Sequence, residues 1–161
     1  MAETQLDVRG LPKPEAYRTL KTQFDAICEE VTDEIALMST MACVLHYGFG
    51  HLWTGFYRRV GPTTLIVGPF QGTIGCLEIE FGSGVCGSAA LREESVVVPD
   101  VTAFAGHITC DARSRSEIVV PVFDRTGDLV AVLDIDSARI ATFDDEDRKQ
   151  LELWVARFAR A

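Results

Sequence analysis

Two segments near the start of the chain carry apolar residues at the three- and four-residue spacing of amphipathic helices. The apolar positions are Tyr17, Leu20, Phe24 and Ile27 in the first segment, and Ile35, Leu37, Met38, Met41 and Leu45 in the second. Thr32 or Asp33 can cap the second helix at its start. The Gly48-Phe49-Gly50 segment can end it. The pattern therefore predicts two helices in the first third of the chain.

The pattern then changes to short apolar runs separated by glycine and proline, which is typical of strands. Six runs have this character, at residues 53–57, 64–67, 76–79, 96–98, 118–123 and 129–135. The connections 58–63 and 124–128 contain Gly61-Pro62 and Gly127, which favours hairpins between antiparallel strands. A short helix fits Gly84–Arg92, between two of the strands.

The end of the chain has the pattern of one more helix. An acidic stretch, Asp144 to Asp147, precedes apolar residues at Leu151, Leu153, Trp154, Val155 and Phe158. Acidic side chains stabilise the first turn of a helix. Helices at both ends of a mostly antiparallel central sheet indicate an α+β fold, with the terminal helices packed against one sheet face. The opposite face and its loops are then free to form a pocket.

Length and composition indicate one domain over residues 1–161, in which we expect residues 1–13 to be loosely ordered. The chain has 161 residues, of which 47% are hydrophobic and 24% charged, as in an ordinary globular domain. The net charge of −9, without a cluster of lysine and arginine, argues against nucleic acid as a partner. A secretory signal and a membrane-spanning apolar run are not found in the sequence, so we expect a cytoplasmic protein without membrane contact.

The five cysteines divide into two groups. In a reducing cytoplasm, a cysteine is expected to be a small buried side chain or a reactive group, not part of a structural disulfide. Cys28 and Cys43 fall among apolar residues of the predicted helices, so we interpret them as core residues. Cys76, Cys86 and Cys110 lie in glycine-rich or polar segments and are the candidates for thiol chemistry.

Two of these thiols have neighbours that affect thiolate formation. Cys86 follows two glycines at the start of the predicted short helix, where backbone N–H groups can stabilise a thiolate or a ligand carboxylate. His107 precedes Cys110 by three residues and would favour its thiolate, whereas Asp111 would oppose it. A zinc site from His107, Cys110 and either Cys76 or Cys86 is the weaker alternative, because paired C-x-x-C spacing is absent.

Acidic residues form a second candidate group. In Leu133-Asp134-Ile135-Asp136-Ser137 the two carboxylates lie on the same side of a strand, because side chains alternate with a period of two. Glu117 begins the neighbouring strand and can reach the same pocket if the two strands pair. A solvated strand face is the competing interpretation. A ligand with an ammonium group would be bound well by such a cluster.

Six segments spread over nearly the whole chain form a specific combination. They are Trp53-Thr54-Gly55-Phe56-Tyr57, Gly68-Pro69-Phe70-Gln71-Gly72, Gly84-Val85-Cys86-Gly87, His107-Ile108-Thr109-Cys110-Asp111-Ala112, Ser116-Glu117-Ile118-Val119 and Leu133-Asp134-Ile135-Asp136-Ser137. With these segments the chain resembles the free methionine-(R)-sulfoxide reductases, which are stand-alone GAF domains. The resemblance implies a GAF-like fold and a redox activity, with a preference for the (R) sulfoxide.

The resemblance also implies a catalytic cycle. The residue matching Cys110 attacks the sulfoxide sulfur while an acid protonates the oxygen, so that methionine leaves and a sulfenic acid is left. Either Cys86 or Cys76 then forms a disulfide with it, which a thioredoxin-type dithiol reduces. We expect no cofactor besides this external reductant, and a homodimer stays an option.

The site residues implied by the resemblance explain the choice of substrate. Glu117, Asp134 and Asp136 surround the substrate ammonium group and the sulfoxide oxygen, and Trp53 and Tyr57 line the wall. A methionine within a polypeptide lacks the ammonium group, and buried carboxylates left unpaired are costly, so the free amino acid is selected. The resemblance leaves open which carboxyl donates the proton. A ligand-sensing GAF module without catalysis is the competing class of function.

Overall fold

The computed structural model describes residues 7–160, which form four α-helices and one six-stranded sheet. The helices are α1 (Lys13–Ile27), α2 (Glu34–Phe49), α3 (Gly84–Arg92) and α4 (Asp145–Val155), with 3-10 turns at Val101–Ala103 and Phe158–Arg160. The strands are β1 (Trp53–Arg59), β2 (Thr64–Gln71), β3 (Glu78–Glu80), β4 (Val96–Val98), β5 (Ser116–Phe123) and β6 (Leu129–Ser137). None of the helices in this part of the chain is long and apolar enough to cross a membrane.

The sheet has the order β3-β2-β1-β6-β5-β4, and every neighbouring pair is antiparallel. The α+β fold with an antiparallel central sheet is therefore confirmed. One strand differs from the sequence prediction, because β3 begins at Glu78 and not at residue 76. Ile79 and Glu78 pair with β2, whereas Cys76 lies in the preceding loop, where it is bonded to Cys110.

The helix ends follow the local sequence. Asp33 caps α2, since its side chain accepts a hydrogen bond of 2.8 Å from the backbone N–H of Ala36. Gly50 ends this helix in the left-handed conformation, which glycine adopts without strain. Asp144 and Asp147 form a reciprocal capping box at the start of α4. These contacts fix where the predicted helices begin and end.

Helices α1, α2 and α4 cover one face of the sheet and form the larger core. Phe24 of α1 stacks on Trp154 of α4, with ring centroids 5.3 Å apart. Leu133 and Ile135 of β6 and Phe56 of β1 pack into the same core from the sheet side. The prediction that the terminal helices pack on one face is confirmed.

The opposite face is covered by α3, and its residues form a second, smaller core with Trp53, Tyr57 and Val132. On β6 the alternation is as predicted: Asp134 and Asp136 lie on this face, opposite to the helical core. Of the N-terminal segment, residues 1–6 lie outside the described residues. In the described part Val8 is buried, and its N–H donates to the Gly48 carbonyl at 3.1 Å.

Candidate active site

Three acidic side chains meet on the face covered by α3. Glu117 of β5 lies directly opposite Asp136 of β6, and Asp134 follows two positions along the same face. Glu117 and Asp134 are each only 6% exposed. Burial, together with repulsion from Asp136, raises the pKa of both carboxyls well above their ordinary values. Carboxyls with raised pKa values keep their protons to a higher pH than free carboxyls do, as a general acid requires.

Asp136 differs from the other two carboxyls. Burial raises its pKa from 3.8 to about 6, while the hydroxyl of Ser114, which donates to Oδ1, and the nearby charge of His107 act against the rise. His107 also approaches the second strand, with Nε2 at 3.3 Å from Oε2 of Glu117. The imidazole thus contacts the acidic cluster and not solvent alone.

Aromatic residues of β1 form the wall beside the acids. The rings of Trp53 and Tyr57 stack with centroids 5.6 Å apart, and the Trp53 indole N–H donates to the carbonyl of Thr73 at 2.9 Å. Gly55 lies between them and pairs with Asp134 across the strands. A Cβ on Gly55 would come within 2.6 Å of the Trp53 ring, so only glycine allows the indole to lie flat over β1.

Two of the three candidate thiols are joined. Cys76, in the loop 72–77, and Cys110, in the loop 104–115, form a disulfide with their Cα atoms 5.6 Å apart. Cys110 is exposed and Cys76 partly buried, so a reductant can reach this bond. Cys28 is buried, as expected, and Cys43 is partly buried.

Cys86 is in a different environment. It is the third residue of α3, is buried, and is a thiol in this structure. Burial and the nearby Asp134 and Glu117 raise the pKa of the Cys86 thiol well above its ordinary value. The helix N-terminus, which the sequence suggested would favour a thiolate here, does not compensate for these effects. Cys86 is therefore a poor nucleophile in this environment.

A polar contact ties the two cysteine loops together beside the disulfide. The hydroxyl of Thr73 donates to Oδ2 of Asp111 at 2.7 Å, and Arg113 donates to the same carboxylate at 2.7 Å. These donors, Arg113 first, hold the pKa of Asp111 well below its ordinary value. The sequence suggested that Asp111 would oppose a Cys110 thiolate. Its negative charge is instead paired with Arg113.

One pocket brings the predicted residues together. It is lined by Trp53, Tyr57, Cys86, Cys110, Glu117, Asp134 and Asp136. Ile74, Ile79, Val85 and Ile108 add an apolar side. Cys76 joins the group through its bond to Cys110. The pocket combines carboxyl groups, an apolar wall and a disulfide-bonded cysteine pair, which suits a small cationic or zwitterionic ligand with an apolar side chain.

Two polar residues of the site were not identified from the sequence. Ser114 donates to Asp136, and Thr73 donates to Asp111. Both are short hydroxyl residues in loops, where no spacing pattern separates a functional serine or threonine from a turn residue. Their role follows only from the fold that brings the loops to the acidic strands.

Comparisons with known proteins agree with this arrangement. The GAF domain family matches residues 22–161. The chain is 39% identical over 149 residues to the free methionine-R-sulfoxide reductase of Escherichia coli K12, a match that covers 92% of this chain and 89% of the relative. It is 36% identical over 150 residues to the enzyme of that name from Saccharomyces cerevisiae, covering 89% of this chain and 83% of the relative.

A solved structure shows the same similarity in three dimensions. The free methionine-R-sulfoxide reductase of Neisseria meningitidis, crystallised with its substrate, superposes with a TM-score of 0.90 at 38% identity. The match covers 96% of this chain and 93% of that one. Sequence and fold thus agree over nearly the full length of both proteins. The chain belongs to the free methionine-R-sulfoxide reductase family of GAF domains.

Proposed function

We propose that this protein reduces free methionine (R)-sulfoxide to methionine, and that a thioredoxin-type dithiol restores its thiols. The observation that carries the proposal is that Cys110 and three acidic side chains line the same pocket. The relatives from Escherichia coli and Saccharomyces cerevisiae are named for this activity. Because the cycle needs reduced thiols, the proposal includes a reducing compartment such as the cytoplasm.

In the first step, the Cys110 thiolate attacks the sulfoxide sulfur while a carboxyl of the cluster protonates the oxygen. The oxygen passes to the cysteine sulfur as a hydroxyl group, and the bond between oxygen and the methionine sulfur breaks. Methionine leaves as a thioether, reduced by two electrons, and Cys110 becomes a sulfenic acid. The exposed position of Cys110 at the pocket edge suits this attack.

The carboxyls divide two tasks between them. Glu117 and Asp134 are buried and have raised pKa values, so at least one of the two holds a proton that can be donated. A substrate ammonium group favours the charged form of the carboxylates that it contacts. We therefore assign Asp136, with its lower pKa of about 6, chiefly to the ammonium group, and Glu117 to the proton.

Cys76 is the resolving cysteine in this proposal. Its thiol attacks the Cys110 sulfenic acid, water leaves, and the disulfide forms. The bond between Cys76 and Cys110 in the structure supports this choice. The buried thiol of Cys86, with its raised pKa, is poorly suited to the attack. A dithiol then reduces the disulfide by thiol exchange.

The test compares two substrates with dithiothreitol as reductant. Free methionine (R)-sulfoxide should be reduced, whereas the N-acetylated compound, which lacks the ammonium charge, should be reduced at least about tenfold less efficiently. Glu117→Gln should lower kcat/KM by about tenfold to a thousandfold. The matched control Glu30→Gln, at an exposed site, should leave it unchanged.

Two results would contradict the proposal. Equal reduction of the N-acetylated compound would mean that the carboxylates do not bind an ammonium group. Binding of the sulfoxide without turnover would instead favour a ligand-sensing module.

A further inference from the structure

We propose that the base of this pocket also binds a zinc ion, or a divalent metal of similar softness, through Cys86, Asp134 and Glu117. These residues come from three different elements, α3, β6 and β5, and all three are buried. Their ligand atoms lie within 4.8 Å of one another. A thiolate with carboxylate oxygens is a donor set that zinc accepts in proteins.

An unpaired oxygen points to a missing cation. Asp134 Oδ1 is buried and has no hydrogen-bond partner among the described residues. A buried carboxylate oxygen without a donor costs free energy, and a metal ion would remove that cost. Since the pocket lies directly at this carboxylate, an ion can reach the oxygen without unfolding.

The geometry requires only small side-chain movements. Tetrahedral zinc with ligand bonds of about 2.0–2.3 Å separates its ligand atoms by roughly 3.5 Å. The three donors are at most 4.8 Å apart, so rotations of the Glu117 and Asp134 side chains are sufficient. His107 Nε2 lies 3.3 Å from Oε2 of Glu117, at the edge of this group.

The charges of the cluster also favour a metal. Cys86, Asp134 and Glu117 would carry three negative charges if all were ionised, and Asp136 adds to the repulsion. Without a cation the cluster reduces this repulsion by holding protons, which agrees with the raised pKa values of the carboxyls. A divalent ion replaces those protons, and its binding releases them.

The metal would act as a reversible inhibitor. This step rests on the proposed function, in which the substrate ammonium group lies at Asp136, directly opposite Glu117 in the same pocket. A metal ion held by Asp134 and Glu117 and an ammonium group at Asp136 would be neighbouring cations that repel each other, so metal and amino acid should compete. Free methionine, which carries the same ammonium group as the sulfoxide, serves as the competitor because it is not turned over.

The test uses cobalt(II), whose thiolate complexes absorb in the near ultraviolet, on the full-length disulfide form. In this form Cys76 and Cys110 are bonded to each other and cannot act as ligands. One equivalent of cobalt should produce the thiolate absorption in the unmodified protein. Cys86→Ser should abolish the absorption, whereas the matched controls Cys28→Ser and Cys43→Ser should retain it.

A second variant guards against a folding defect of Cys86→Ser. Glu117→Gln retains the thiol and should weaken cobalt binding at least about tenfold, since even outer partners of a metal ligand contribute tenfold or more. The proposal is overturned if the unmodified protein gives no thiolate absorption, if the absorption persists in Cys86→Ser, or if Glu117→Gln binds cobalt normally.

Competition separates this proposal from the proposed function. Free methionine should displace the cobalt, and N-acetylmethionine should not. Cobalt bound through Cys86 but not displaced by methionine would leave the metal site standing and contradict the ammonium site. Turnover of the sulfoxide without any cobalt binding would contradict the metal site alone.

Discussion

Asp136→Asn is expected to stabilise the folded protein at neutral pH while it lowers the activity. Burial raises the pKa of Asp136 from 3.8 to about 6, so the folded state binds this proton more tightly than the unfolded state. The contribution of Asp136 to the free energy of unfolding is therefore lost as the pH rises from about 4 to about 6. A rise of roughly 2 in pKa corresponds to about 3 kcal/mol at pH 7.

The asparagine avoids this cost because it is neutral at every pH. Its amide oxygen can still accept the hydrogen bond from Ser114. The Asp136 side chain is partly exposed to solvent, which weakens the effect of burial. The expected gain in the free energy of unfolding is therefore about 1–3 kcal/mol, or several degrees in Tm. Loss of the ammonium contact should reduce kcat/KM by about tenfold or more.

Urea unfolding of the oxidised protein at pH 7 and pH 4 measures the effect. The variant should be more stable at pH 7. The difference should become small at pH 4, where the Asp136 carboxyl is protonated in the folded state and about half protonated in the unfolded state. Glu30→Gln is the control and should show neither change. A variant that is destabilised equally at both pH values would refute the argument from buried charge.

Four further substitutions test the cysteines and the loop contact beside the disulfide. Cys110→Ser should abolish turnover, because a hydroxyl is a far weaker nucleophile than a thiolate, and methionine release at the normal rate would contradict this. Cys76→Ser should release about one methionine per enzyme in a single turnover but fail to cycle with thioredoxin. Cys86→Ser should still form the Cys76–Cys110 disulfide, which peptide mapping can show. Thr73→Val removes the hydrogen bond to Asp111 and should slow disulfide formation several-fold, without changing the rate of the first methionine release. If the rate at which the Cys76 and Cys110 thiols are lost is unchanged, Thr73 does not position the two cysteine loops.

The fold was predictable because its apolar residues follow simple periods. Alternation along β6 separated Leu133 and Ile135, in the helical core, from Asp134 and Asp136, in the pocket. The three-residue edge strand β3 was placed less well, since so short an apolar run carries little periodicity and its start depends on pairing with β2.

The cysteines, carboxyls and aromatic residues that line the pocket were named from the sequence, but the connections between them were not. The sequence left Cys76 and Cys86 as equal alternatives, because it does not show which sulfur lies beside Cys110. It also suggested that the helix start would favour a Cys86 thiolate, whereas burial beside Asp134 has the larger effect. Thiol pKa values depend on tertiary surroundings, and these are set by residues far away in the chain.

The disulfide has a consequence for how long the protein survives. It joins residues that are 34 positions apart. Closing a loop of that length lowers the conformational entropy of the unfolded chain, which stabilises the folded protein by roughly 3–4 kcal/mol. In the proposed catalytic cycle the protein therefore alternates between a cross-linked form and a looser, reduced form. The reduced form is then the one more open to proteases. If the proposal holds, the protein accumulates in its more durable form when reductant is scarce.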